Sequence, residues 1–122
     1  MMTAAREQLA DDVRAVVAAD VAVFSHMPDQ LPIPAVLIWW ADPAITPETW
    51  CAYVARFQIY VIGARIAPGP QLEAGEAVIS DMLPGLQKRG YTLPDVGSPF
   101  PFTVAAVDYL AQIVTVEAEI TS

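Results

Sequence analysis

The sequence predicts an α+β domain: a mostly antiparallel sheet of four to five strands with two helices packed against it, in the order α-β-β-β-α-β-β. Three observations carry that reading. Cys51 to Arg65 is an aromatic and β-branched run that alternates with period two. Two segments, one near the N-terminus and one ending at Gly90, space their apolar residues as helices do. Pro- and Gly-containing breaks separate these segments, and there is no internal repeat or low-complexity linker, so residues 1–122 read as one domain.

Thr3 is placed to cap the first helix, which runs to about Ala19, with Ala5, Leu9, Val13 and Val16 on one side and Arg6, Glu7, Asp11 and Arg14 on the other. Asp20 ends it. Val21 to Phe24 reads as a short strand, and Ser25 to Pro34 as an irregular loop because of its prolines. Ala35 to Trp40 is a compact apolar strand ended by Asp42-Pro43, followed by a loop over Ala41 to Glu48. The long central strand starts near Trp50, although Thr46-Pro47 also resembles a helix start and a single helical turn there stays open.

On that central strand Tyr53, Ala55, Phe57, Ile59 and Val61 share one face, and Val54, Arg56, Gln58, Tyr60 and Ile62 the other. A strand with one wet face alternates cleanly between apolar and polar. Here the second face is half apolar, which implies that it too is covered, for example by another copy of the chain. Pro68-Gly69-Pro70 then breaks the chain. Leu72, Glu76, Ile79, Leu83 and Leu86 mark the second helix, with Lys88 and Arg89 near its end and Gly90 as its stop. Pro84 inside it is expected to kink or divide it. Pro94 to Pro101 reads as a long loop, and Thr103 to Val107 and Tyr109 to Ile120 as the last two strands.

The hydrophobic fraction is 55% and the mean hydropathy +0.42. So apolar a small chain is expected to place part of its surface against a partner. No stretch approaches the roughly 20 apolar residues that cross a bilayer, and Met-Met-Thr-Ala-Ala-Arg-Glu lacks the regions of a signal peptide, so an intracellular origin is expected. The net charge of −8 opposes wrapping of nucleic acid, which relies on Lys and Arg. It suits either general solubility or a wall that repels DNA sliding past. One cysteine, Cys51, excludes an intrachain disulfide and a cysteine-based zinc site.

No residue pattern supplies a catalytic, cofactor-binding or metal site. His26, the only histidine, follows Ser25, and in extended chain the two point to opposite faces. Cys51 has no basic neighbour before Arg56 to activate it. Glu117 and Glu119 share a strand face about 7 Å apart, near the separation of glycosidase carboxylates, but read as a solvated edge. Asp11 and Asp12 diverge by about 100° on their helix. Gly63 and Gly69 carry no phosphate-binding fingerprint. The residues that do stand out are aromatic: Trp39, Trp40 and Trp50, and Phe100 and Phe102 among prolines. They are candidates for an interface, as large aromatics are common interface anchors; a sheet covered on both faces explains adjacent Trp39 and Trp40 equally well.

In order and length the chain resembles the tail-terminator proteins of long-tailed, siphovirus-type phages, including lambda-type and actinobacterial-phage members. The residues that carry the likeness are the N-terminal amphipathic helix, Val21-Ala22-Val23-Phe24, and the Pro-rich loop into Pro34-Ala35-Val36. The Tyr53-to-Gly63 strand, the Pro68-Gly69-Pro70 break, the helix closing at Gly90, and Val107-Asp108-Tyr109-Leu110 with its long last strand complete it. Pro84 departs from the pattern. The resemblance implies a virion protein without catalytic activity or cofactor, assembled in the host cytoplasm. It implies a homo-oligomeric, hexameric ring on the head-proximal end of the tail, which caps the tail tube protein, stops its polymerisation and joins the head–tail connector protein. DNA passes through the lumen without specific binding, and no membrane is involved. Closed cyclic symmetry gives each subunit two heterologous faces, which accounts for surplus apolar surface, and a ring is suited to covering the open edges of a growing tube. Two other readings remain: a phage neck or head-completion protein, and, in a different class, a small cytoplasmic ligand-binding domain, enzyme or dimer, which needs a pocket around His26 or Glu117 or an aromatic patch that serves pairing alone.

Overall fold

The computed structural model describes residues 2–25, 34–49, 52–65, 73–104 and 106–121. Its elements are α1 (Met2–Val16), β1 (Ala22–Phe24), β2 (Ala35–Thr49), β3 (Ala52–Arg65), α2 (Glu73–Lys88), β4 (Thr92–Val96), β5 (Phe100–Val104) and β6 (Val107–Thr121). The fold is α+β, a mixed six-stranded sheet with two helices. Its path is β1-β2-β3-β6-β4, with β5 also on β6. Among the described residues only β1 and β2 run parallel; the other pairings are antiparallel.

The strand count exceeds the four to five expected, and the order is α-β-β-β-α-β-β-β. The difference lies in residues 94–101, which are not one loop. β4 and β5 lie end to end along the outer side of β6, β4 opposite residues 114–117 and β5 opposite 107–111. Gly97 bridges them, its N–H donating to the Ile113 carbonyl at 2.7 Å. Prolines fit there because an edge strand has one side that donates to no ladder. The hairpin turn falls at Ala106, with φ 63°, so the break expected at Asp108 belongs to β6 instead.

β2 also runs further than expected. It passes Asp42-Pro43 and pairs with β3 as far as Thr49↔Ala52. An irregularity between Trp40 and Ile45 absorbs the proline, as β-bulges do. The helical turn left open at Thr46-Pro47 is therefore strand. α1 stops at Val16, short of Ala19, and Thr3 lies inside it rather than capping it. Pro84 does not divide α2, which is continuous. The ring sits on the exposed side of that helix, four residues after exposed Ser80, where solvent meets the carbonyl that has lost its donor. Leu72, His26, Trp50, Cys51 and Pro68-Gly69-Pro70 lie outside the described residues.

The alternation on β3 builds the core. Ala55, Phe57, Ile59 and Val61 are buried with Val36 and Ile38 of β2 and Val114 and Val116 of β6. Both helices cover this face, α1 through Leu9, Ala10 and Val13 and α2 through Val78, Ile79, Met82 and Leu86. Gly85 sets how closely the helices approach, because a Cβ there would lie 2.5 Å from Val16 Cγ1. α2 ends in a Schellman motif: Tyr91 N–H donates to Leu86 O at 3.2 Å, Gly90 N–H to Gln87 O at 3.1 Å, and Gly90 takes φ 91°.

Candidate functional site

The sheet face away from the helices is the candidate surface, and it is graded along its length. At the β1 end Ala35, Ile62, Tyr109 and Ala111 are buried, with Phe24, Tyr60, Phe100 and Phe102 packed against them. One row further, Leu37 is paired with Tyr60, and Tyr60 with Ile113. The next row is polar: Trp39 opposite Gln58, Gln58 opposite Thr115, and Thr115 opposite Asp95. Thr115 Oγ1 donates to Asp95 Oδ1 at 2.9 Å. Beyond it Arg56 faces Glu117 with Nε to Oε2 at 3.6 Å, too long for a hydrogen bond, so Arg56 Nε is buried with no acceptor among the described residues.

The aromatic candidates divide between the two faces. Trp39 is 44% exposed, and with Val96 it is one of two large exposed hydrophobic residues among those described. Trp40 points to the helices instead, 5.3 Å from the Phe57 ring, and the Arg6 guanidinium lies 5.0 Å over its indole. Phe100 and Phe102 are half-buried, 6.2 Å and 5.2 Å from Tyr60, and form an intramolecular cluster on the same face as Trp39. Reading residues singly missed the Gln58, Thr115–Asp95 and Arg56–Glu117 rows. The signal was present in the half-polar alternation of β3; the partners depend on register.

A second polar locus ties α1 to the end of α2. Tyr91 Oη donates to Asp12 Oδ2 at 2.5 Å, Gln8 Nε2 donates to Asp12 Oδ1 at 3.3 Å, and Arg89 Nε lies 3.5 Å from the same carboxylate. Burial, then the hydrogen bond and the negative charge of Asp12, raise the Tyr91 pKa well above the usual phenol value of 10.0, against a smaller lowering by Arg89. A phenol that ionises less readily when folded stabilises the fold fully below pH ~10 and loses that contribution as the pH rises through its folded pKa. Stability of the wild type is thus expected to fall above pH ~10, and Tyr91→Phe to flatten that limb while costing about 1 kcal/mol at neutral pH. Urea titrations between pH 7 and 11 check this; parallel curves for the two proteins would refute it.

Two shallow cavities of about 280 and 300 Å3 adjoin this locus, sharing Gly90 and Glu119 and lined further by Gln8, Arg89, Thr92 and Glu117. Glu117 and Glu119 both line the second of these cavities, with Glu117 Oε2 3.6 Å from Arg56 Nε. Among the described residues no three His, Cys, Asp or Glu side chains group as metal ligands, and no helix is long and apolar enough to cross a membrane. The chain matches no protein-family model and no curated protein. The helix-free face carries an exposed indole, Trp39, in one row with Gln58, Thr115 and Asp95.

Proposed function

We propose that this chain is the tail-terminator subunit of a long-tailed phage, forming a hexameric ring that caps the head-proximal end of the tail tube, halts its growth and joins the connector. The observation that carries this reading is exposed Trp39 on the helix-free sheet face, beside the polar row of Gln58, Thr115 and Asp95. An indole bordered by hydrogen-bonding groups is the composition of an interface anchor. The order of elements, the apolar composition and the net charge of −8 support the same reading, the charge because an acidic lumen lets DNA pass without adhering. Trp39, Phe100 and Phe102 lie on the proposed contact face; Trp40 supports it from the core side.

Electron microscopy and sedimentation velocity of the purified chain, alone and with tube protein, test this directly. Sixfold rings are expected, and a strictly monomeric species at high concentration in both conditions would sink the reading. Deleting the gene should give tails of uncontrolled length; normal tails with leaking heads would place the chain at head completion. Trp39→Ala should leave unfolding stability within about 1 kcal/mol, as for an exposed position, yet weaken ring formation by about 2 kcal/mol per contact, roughly 30-fold. Unchanged assembly in that variant would remove Trp39 from the interface.

A further inference from the structure

The prolines inside the sheet are confined to its outer strands. Pro43 and Pro47 lie in β2, Pro94 in β4 and Pro101 in β5, while the central strands β3 and β6 have none. Their register gives the pattern a direction. Ala22 N–H donates to the Pro34 carbonyl at 3.2 Å, so even-numbered groups at the start of β2 face β1, and the even-numbered groups of β3 face β2. After the irregularity that follows Trp40, Thr46 is paired with Val54 and Pro47 with Tyr53. Thr46 then bonds to β3, and the nitrogen of Pro47 is directed to the outer edge. Pro43 falls within the irregularity, without a β3 partner.

The opposite edge repeats this. Gly97 N–H donates inward to Ile113, and Asp95, opposite Thr115, lies on the same β6 side; Pro94 falls within the irregularity between Thr92 and Asp95, without a β6 partner. Val104↔Val107 closes the β5–β6 hairpin, so Phe102 and Phe100 bond inward and Pro101 faces out. Each proline in the regular ladders thus removes a donor from an outer edge and none from the sheet. Both edges are further shortened: β1 has three residues, and Gly97 to Pro99 interrupt β4 and β5.

We propose that these prolines close both edges of the sheet to strand addition. Copies of this chain, and any partner, then meet it through side-chain faces and not by extending the sheet. An unguarded edge of this length is a template for pairing with another chain. The inference stands independently of the ring reading, and it moves contact with a tube away from the edges.

The test restores donors one edge at a time: Pro43→Val with Pro47→Val, and Pro94→Val with Pro101→Val. Matched variants carry Lys at the same positions, which returns the N–H but guards the edge by charge. Sedimentation velocity across concentrations, with infrared detection of intermolecular β-structure, is expected to show at least about a tenfold stronger association for each folded Val pair. The Lys pairs are expected to sediment like the wild type. Val variants that stay folded with the wild-type size distribution would overturn the proposal, as would Lys variants that associate equally. A second measurement does not depend on variant folding. Wild-type protein mixed with an excess of an extended Val/Thr peptide should gain no hydrogen-exchange protection at the Trp40 or Thr103 amides; protection there would overturn the proposal even if rings form.

Discussion

Phe57→Ala should lower the unfolding free energy by about 3–5 kcal/mol, the range for removing a fully buried phenyl ring. Phe57 is the largest of the described side chains with no exposure at all. It occupies the middle strand of the helix-facing row, paired with Trp40 on one side and Val116 on the other. Its ring also meets the Trp40 indole and belongs to the core that both helices cover, so truncation leaves a cavity between the helices and a sheet whose backbone ladder holds its strands at fixed spacing. Strands tied to neighbours on both sides collapse poorly into such a void, which places the effect toward the upper end. Total stability of a domain this size is about 5–15 kcal/mol, so the variant should be largely unfolded in modest urea. Equilibrium denaturation followed by far-UV circular dichroism measures it. A loss below about 1 kcal/mol would mean that Phe57 is not at the centre of the packing.

Gly85→Ala should destabilise as well, by about 1–3 kcal/mol, although alanine is favoured over glycine in a helix by about 1 kcal/mol. The added methyl would lie 2.5 Å from Val16 Cγ1 and 2.7 Å from its Cβ. Both atoms belong to a β-branched side chain with little rotamer freedom. The helices must therefore separate, and α1 loses contact with the core through Leu9 and Val13. Adding Val16→Ala removes the obstacle, so the double variant should recover most of the loss. Additive losses in that cycle, or a stabilised single variant, would show that the helices do not meet at this glycine.

Legibility in the sequence followed the range of the interactions. α1, α2 and β3 were readable because periodic apolar residues and a glycine stop are local signals, and Leu9, Val13, Ile79 and Leu86 are buried as that periodicity required. β4 was not. Thr92 to Val96 contains Pro94 and Asp95, both poor strand formers, and becomes strand only because β6 offers a ladder to one side of it. The same holds for β2 beyond Asp42-Pro43, where pairing with β3 outweighs a local preference for turn. At the candidate surface, the exposure of Trp39 against the partial burial of Trp40 follows from which face carries the helices, and adjacent residues carry no information about that.

By itself the sequence determined the α+β class, the two amphipathic helices, the central strand and its two unequal faces, because each depends on side chains a few residues apart. Tertiary structure alone decided the sixth strand, the graded second face, the Arg56–Glu117 and Thr115–Asp95 pairs, and the outward direction of the edge prolines. These depend on register between strands distant in the chain, and a shift of one residue would send each of those groups to the opposite face.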